Sequence, residues 1–87
     1  MKTMKIRIYA DPGHAWAAIK RDTLIKLGIA DKITTYSYQR NDMAYLEEDC
    51  DLSTLISAAR NAGITLTFDE RHTNKRSKIR SYEYYRC

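Results

Sequence analysis

Proline and glycine are scarce in this 87-residue chain, with one Pro and three Gly. That excludes collagen-like and linker-rich architectures. The two cysteines, Cys50 and Cys87, are too few for a disulfide scaffold. Together with His72 they complete no zinc spacing. No apolar run approaches the roughly 20 residues a membrane-spanning helix needs. The basic opening Met1-Lys2-Thr3-Met4-Lys5 leads into alternation rather than an apolar stretch, so no secretion signal is expected. Also missing are a Ser-His-Asp order, a Gly-x-Ser-x-Gly elbow, a phosphate-binding Walker loop and a dinucleotide fingerprint. Enzyme is therefore the weakest class, and no cofactor or metal is expected.

What is present is ordinary globular material, 44% hydrophobic and 30% charged, enough for a single domain over residues 1–87. Lys5 to Ala10 alternates with Ile6, Ile8 and Ala10 on one side, the signature of a strand with one covered face. Asp11-Pro12-Gly13 is a turn, after which His14 to Lys20 returns as a second strand. Asp22 to Gly28 reads as a short helix, with Asp22 as its cap. Ile33 to Arg40 and Met43 to Leu46 form a hairpin across Asn41-Asp42. Leu52, Leu55, Ile56, Ala59 and Ala62 make one apolar helical stripe, begun by Asp51 or Ser53 and stopped by Gly63. Ile64, Leu66 and Phe68 alternate as a further strand, and Lys78 to Tyr85 is a last extended piece. The expected fold is α+β, a largely antiparallel sheet with about two short helices on one face.

Charge is distributed unevenly. Fifteen Lys and Arg against eleven Asp and Glu leave a net +4, which favours polyanionic partners. Arg71, Lys75, Arg76, Lys78 and Arg80 fall in ten residues that contain no acid. Guanidinium forks and ammonium groups bind phosphate, and Tyr82, Tyr84 and Tyr85 follow directly with faces that stack on unpaired bases. The same stretch equally suits a solvated loop and an edge strand whose charge deters aggregation. Glu47, Glu48, Asp49 and Asp51 surround Cys50 with no base among them. Acids at that place suit the positive end of the following helix better than a metal, and solvent-facing members would suit an Arg-rich partner.

The seven tyrosines exceed what the core needs. Tyr36, Tyr38 and Tyr45 on the central hairpin suit a protein interface or cross-strand packing, with Tyr9 and Tyr45 favoured as core. Cys50 is expected as a small buried or half-buried filler. A metal nuclease assembled from Asp11, His14, Glu47 and Lys78 is conceivable, but no spacing demands it.

Four segments carry a resemblance: Asp11-Pro12-Gly13-His14-Ala15-Trp16, Lys32 to Tyr38, Tyr45 to Asp51, and Lys78 to Tyr82. Together they resemble a group of small orphan proteins carried by bacteriophages and mobile elements, across nearly the whole chain. The resemblance transfers no catalytic residue. It implies a non-enzymatic accessory protein in the cytoplasm of a bacterial host. Such a protein would act by stoichiometric binding to a host protein or ribonucleoprotein, as anti-CRISPR and other anti-defence inhibitors do. The alternative is a free-standing nucleic-acid-binding module that uses residues 71–80 and the C-terminal tyrosines.

Overall fold

The computed structural model describes residues 2–86, and Cys87 lies outside the described residues. The fold is α+β. Its strands are β1 (Lys2–Ala10), β2 (Ala15–Lys20), β3 (Tyr38–Arg40), β4 (Met43–Glu47), β5 (Ile64–His72) and β6 (Glu83–Tyr84). Its helices are α1 (Arg21–Lys26) and α2 (Leu52–Asn61). The six strands form one mixed sheet in the order β5-β1-β2-β4-β3-β6. Every pairing is antiparallel except β1 with β5, which run parallel over the full length of both strands. Since β4 and β1 point the same way, α2 acts as a crossover from β4 to β5, passing over β2 and β1. No helix among the described residues is long and apolar enough to cross a membrane.

Alternation along the strands divides the side chains between two faces. Ile6 and Ile8 of β1, Ala15, Ala17 and Ile19 of β2, and Ala44 and Leu46 of β4 enter one core with Leu24 of α1 and Leu55 of α2. The alanines let the helices approach the sheet closely, so this face is dry. The other face carries Tyr9, Trp16, Tyr45 and Tyr38, which the strand register sets side by side. No helix covers them. Their cover is the C-terminal segment, residues 77–82.

Four local expectations need correction. The strand expected from Ile33 begins only at Tyr38. The reason is Asp51, fully buried, whose carboxylate accepts from the Thr34 amide at 3.1 Å, the Thr34 hydroxyl at 2.8 Å and the Ser37 hydroxyl. These bonds curl residues 33–37 around the start of α2 instead of letting them extend. Asp51 does occupy the cap position of α2, but its side chain makes no capping bond there. Asp22 likewise caps nothing, because α1 starts directly from the end of β2 at Arg21. Finally, Lys78–Ser81 is a 3₁₀ turn rather than extended chain, with the Ser77 hydroxyl accepting from the Ile79 amide at 3.2 Å.

Candidate functional site

Asp11 organises the uncovered face. Its carboxylate takes the amides of Gly13 at 3.0 Å and His14 at 2.9 Å, which shapes the β1–β2 turn as a turn aspartate should. The same two oxygens also reach across the molecule. They accept from the Ser77 amide at 3.0 Å and from Arg80 twice, at 2.7 and 2.9 Å. A bidentate guanidinium and these amides hold the Asp11 carboxyl far below the usual carboxylate range. The partner effect on Arg80 is upward. Gly13 leaves room for this clamp, because a Cβ at that position would lie 2.9 Å from the Arg80 guanidinium and displace it. Held this way, Arg80 lies over the Trp16 ring at 5.4 Å and Ile79 is buried.

Residues 77–82 form a strap across the face, with a slot and an adjoining hollow on one side and a cleft on the other. On one side Tyr82 packs on Tyr45 at 5.2 Å between ring centroids, and Tyr45 meets Tyr9 at 6.4 Å. Arg40 lies over the Tyr82 ring at 5.1 Å. Tyr9, Tyr45, Ser77, Lys78, Ile79 and Tyr82 enclose a slot of about 230 Å³. Burial, then Tyr82 and Tyr9, push the Tyr45 phenol above its usual value, so it stays a neutral donor. Tyr9, Ser77 and Lys78 also line an adjoining hollow of about 360 Å³, whose other walls include Arg71, His72, Lys75 and Arg76. No acid lines either space. Lys75, Arg76 and Lys78 have no acidic partner among the described residues, whereas Arg71 pairs with Asp69 at 3.1 Å.

On the other side Trp16 meets His14 at 6.0 Å and Tyr38 at 6.3 Å, and Tyr38 stacks on Tyr84 at 5.6 Å. His14, Trp16, Tyr36, Tyr38, Glu47, Asp49, Cys50 and Arg80 line a cleft of about 300 Å³. Glu47 is buried, with one oxygen 3.2 Å from His14 Nδ1 and the other accepting the amides of Asp49 at 2.7 Å and Cys50 at 3.0 Å. Ligand atoms of His14, Glu47 and Asp49 lie within 4.8 Å of one another.

No protein-family model, curated protein or solved structure matches the chain.

The residues singled out from sequence therefore fall into distinct groups. Arg71, Lys75, Arg76 and Lys78 share the basic hollow, with Tyr82 in the slot beside it. Arg80 is not a free cation of that stretch. It is the clamp. Tyr85 is not a surface ring either: it is 3% exposed, and its hydroxyl donates to the Ala30 carbonyl at 2.7 Å. Tyr36, Tyr38 and Tyr84 stand on the opposite side of the strap, with Tyr36 and Tyr84 well exposed. In the acidic run, Glu48 and Asp49 face solvent while Glu47 and Asp51 are buried in hydrogen bonds. Cys50 is exposed rather than a filler, and desolvation, then Glu47, Asp51 and Asp49, push its thiol up and keep it protonated. The nuclease constellation does not assemble, since Asp11 is engaged by Arg80 and Lys78 lines the tyrosine slot. Tyr9 and Tyr45 are half-buried on this uncovered face and outside the helix-covered core. Their role in the slot was missed from sequence, although Tyr9 alternating with Arg7 and Lys5 placed it opposite the core.

Proposed function

We propose that this chain is a non-catalytic binding protein that engages single-stranded nucleic acid through the tyrosine slot and the basic hollow. One observation carries the reading. Aromatic faces spaced 5.2–6.4 Å apart adjoin a hollow lined by Arg71, Lys75, Arg76 and Lys78 and by no acid. Bases stack on ring faces while cations track the phosphates, and the slot and the hollow share Tyr9, Ser77 and Lys78 in their linings. Arg40 over Tyr82 holds that ring by a cation–π contact. The resemblance to mobile-element proteins adds the setting. The nucleic acid is one held in a host ribonucleoprotein, and the chain acts stoichiometrically, as an anti-CRISPR-like inhibitor of a defence complex. Its net charge of +4 argues against mimicry of DNA.

The test is a fluorescence anisotropy titration with a short labelled single strand across a salt series. Three phosphate contacts, one each for Lys75, Arg76 and Lys78, give a slope of log K against log salt of about −2. The triple variant Lys75→Ala, Arg76→Ala, Lys78→Ala should fold normally, because all three side chains are exposed. Its slope should fall towards zero. An unchanged anisotropy at low salt, with either RNA or DNA, would end this reading. Inhibition of a defence complex that saturates at one equivalent is the expected result for the setting, and multiple turnover would contradict it.

A further inference from the structure

The cleft on the far side of the strap has the opposite chemistry to the basic hollow. Its only fixed cation is Arg80, already neutralised by two bonds to Asp11. Glu47 is buried and held by His14 and by the Asp49 and Cys50 amides, which leaves Asp49 as the exposed carboxylate with no Lys or Arg beside it in the lining. The Asp49 carboxylate makes no hydrogen bond or ion pair among the described residues, and the neighbouring Glu48 is exposed as well. Three of the eight lining residues are aromatic, Trp16, Tyr36 and Tyr38, and Tyr36 is 70% exposed. Ring faces offer no donor atoms to a metal ion, but their negative faces attract an organic cation. The molecule uses this pairing twice already, with Arg80 over Trp16 and Arg40 over Tyr82.

We propose that this cleft is a receptor for an arginine side chain presented by a partner protein. The guanidinium lies against the exposed Tyr36 ring with its N–H groups directed at the Asp49 carboxylate, and the buried Glu47 adds negative charge behind it. A planar cation with a fork of donors meets a ring and a carboxylate together, as an ammonium point charge does not. The site is separate from the slot and stands whether or not the chain binds nucleic acid. If both hold, the two hollows grip a ribonucleoprotein by its nucleic acid and by its protein at once.

The experiment is an amide and indole NMR titration of the full chain with the peptide acetyl-Gly-Arg-Gly-amide, and with the same peptide carrying uncharged citrulline. Trp16 is the sole tryptophan, so its indole N–H is an unambiguous reporter in the cleft wall. Saturable shifts at Trp16, Tyr36 and Asp49 are expected with arginine and none with citrulline. Asp49→Asn and Tyr36→Ala remove exposed groups, and each should weaken binding by about two- to fivefold, the range of one exposed ion pair or cation–π contact. Equal responses to arginine and citrulline would overturn the proposal, as would the absence of any shift at these residues. Saturation of the same resonances by Zn²⁺, with no response to arginine, would reassign the cleft to a metal held by His14, Glu47 and Asp49.

Discussion

Replacing Asp11 by Ala is expected to release the strap at residues 77–82, lower the melting temperature markedly and shift the emission of Trp16 towards the red. Five hydrogen bonds converge on this carboxylate, three from backbone amides and two from Arg80. Without it, a guanidinium is left against Trp16 with no counter-charge, and the Ser77 amide loses its acceptor. Removing one partner from a hydrogen-bonded charge pair is costly, because the other stays behind unsatisfied. Acid should reproduce the effect. Aspartate in an unfolded chain titrates near ~3.9, and in the fold Arg80 and then Ser77 hold Asp11 well below that. The clamp's contribution is therefore complete above about pH 4 and is lost progressively as pH falls through the acid range. Urea midpoints at pH 7 and pH 3 should differ more for the wild type than for Asp11→Asn. Asp69, also held low and chiefly by Arg71, is common to both proteins, so the difference isolates Asp11. Identical acid sensitivity would show that the strap is not clamped as described.

Leu55→Ala should cost about 2–5 kcal/mol, read from urea midpoints. Leu55 is fully buried on α2, in one cluster with Ile6, Ile8 and Leu46. The small residues Ala15, Ala17 and Ala44 are packed in the same cluster, so neighbouring side chains have little bulk with which to fill the void. An unchanged midpoint would mean that α2 does not close the core. Substitution of the exposed Lys75 on the same scale should be nearly silent.

The fold was legible where periodicity is strong. Alternation of Ile6, Ile8 and Ala10 fixed the core face of β1, and the Leu52, Leu55, Ala59 spacing fixed α2, with Gly63 ending it at φ 72°. Asn41, read as a turn residue, takes φ 56° in the two-residue connection between β3 and β4. The parallel pairing of β5 with β1 was not legible, because it depends on the crossover of α2 and no local pattern encodes strand order. The site was harder to read for a related reason. Asp11 and Arg80 are 69 positions apart, so nothing near either residue says that one belongs to the other. Arg80 therefore looked like one more cation of a basic run. Asp51 looked like a helix-end acid, while its actual partners, Thr34 and Ser37, lie in a segment whose own propensity is for strand. Tyr85 looked like its neighbours Tyr82 and Tyr84, whereas its packing in the core cluster and its bonds to Ser37 and Ala30 are all long-range contacts.

Chemical-shift mapping with an unlabelled single-stranded oligonucleotide tests the central claim most directly, since it asks where nucleic acid sits as well as whether it binds. The account predicts the largest shifts at Tyr9, Tyr45, Lys75, Arg76, Lys78 and Tyr82, with α1 and α2 unmoved. Shifts concentrated on the helices, or spread evenly over every exposed lysine and arginine, would contradict it.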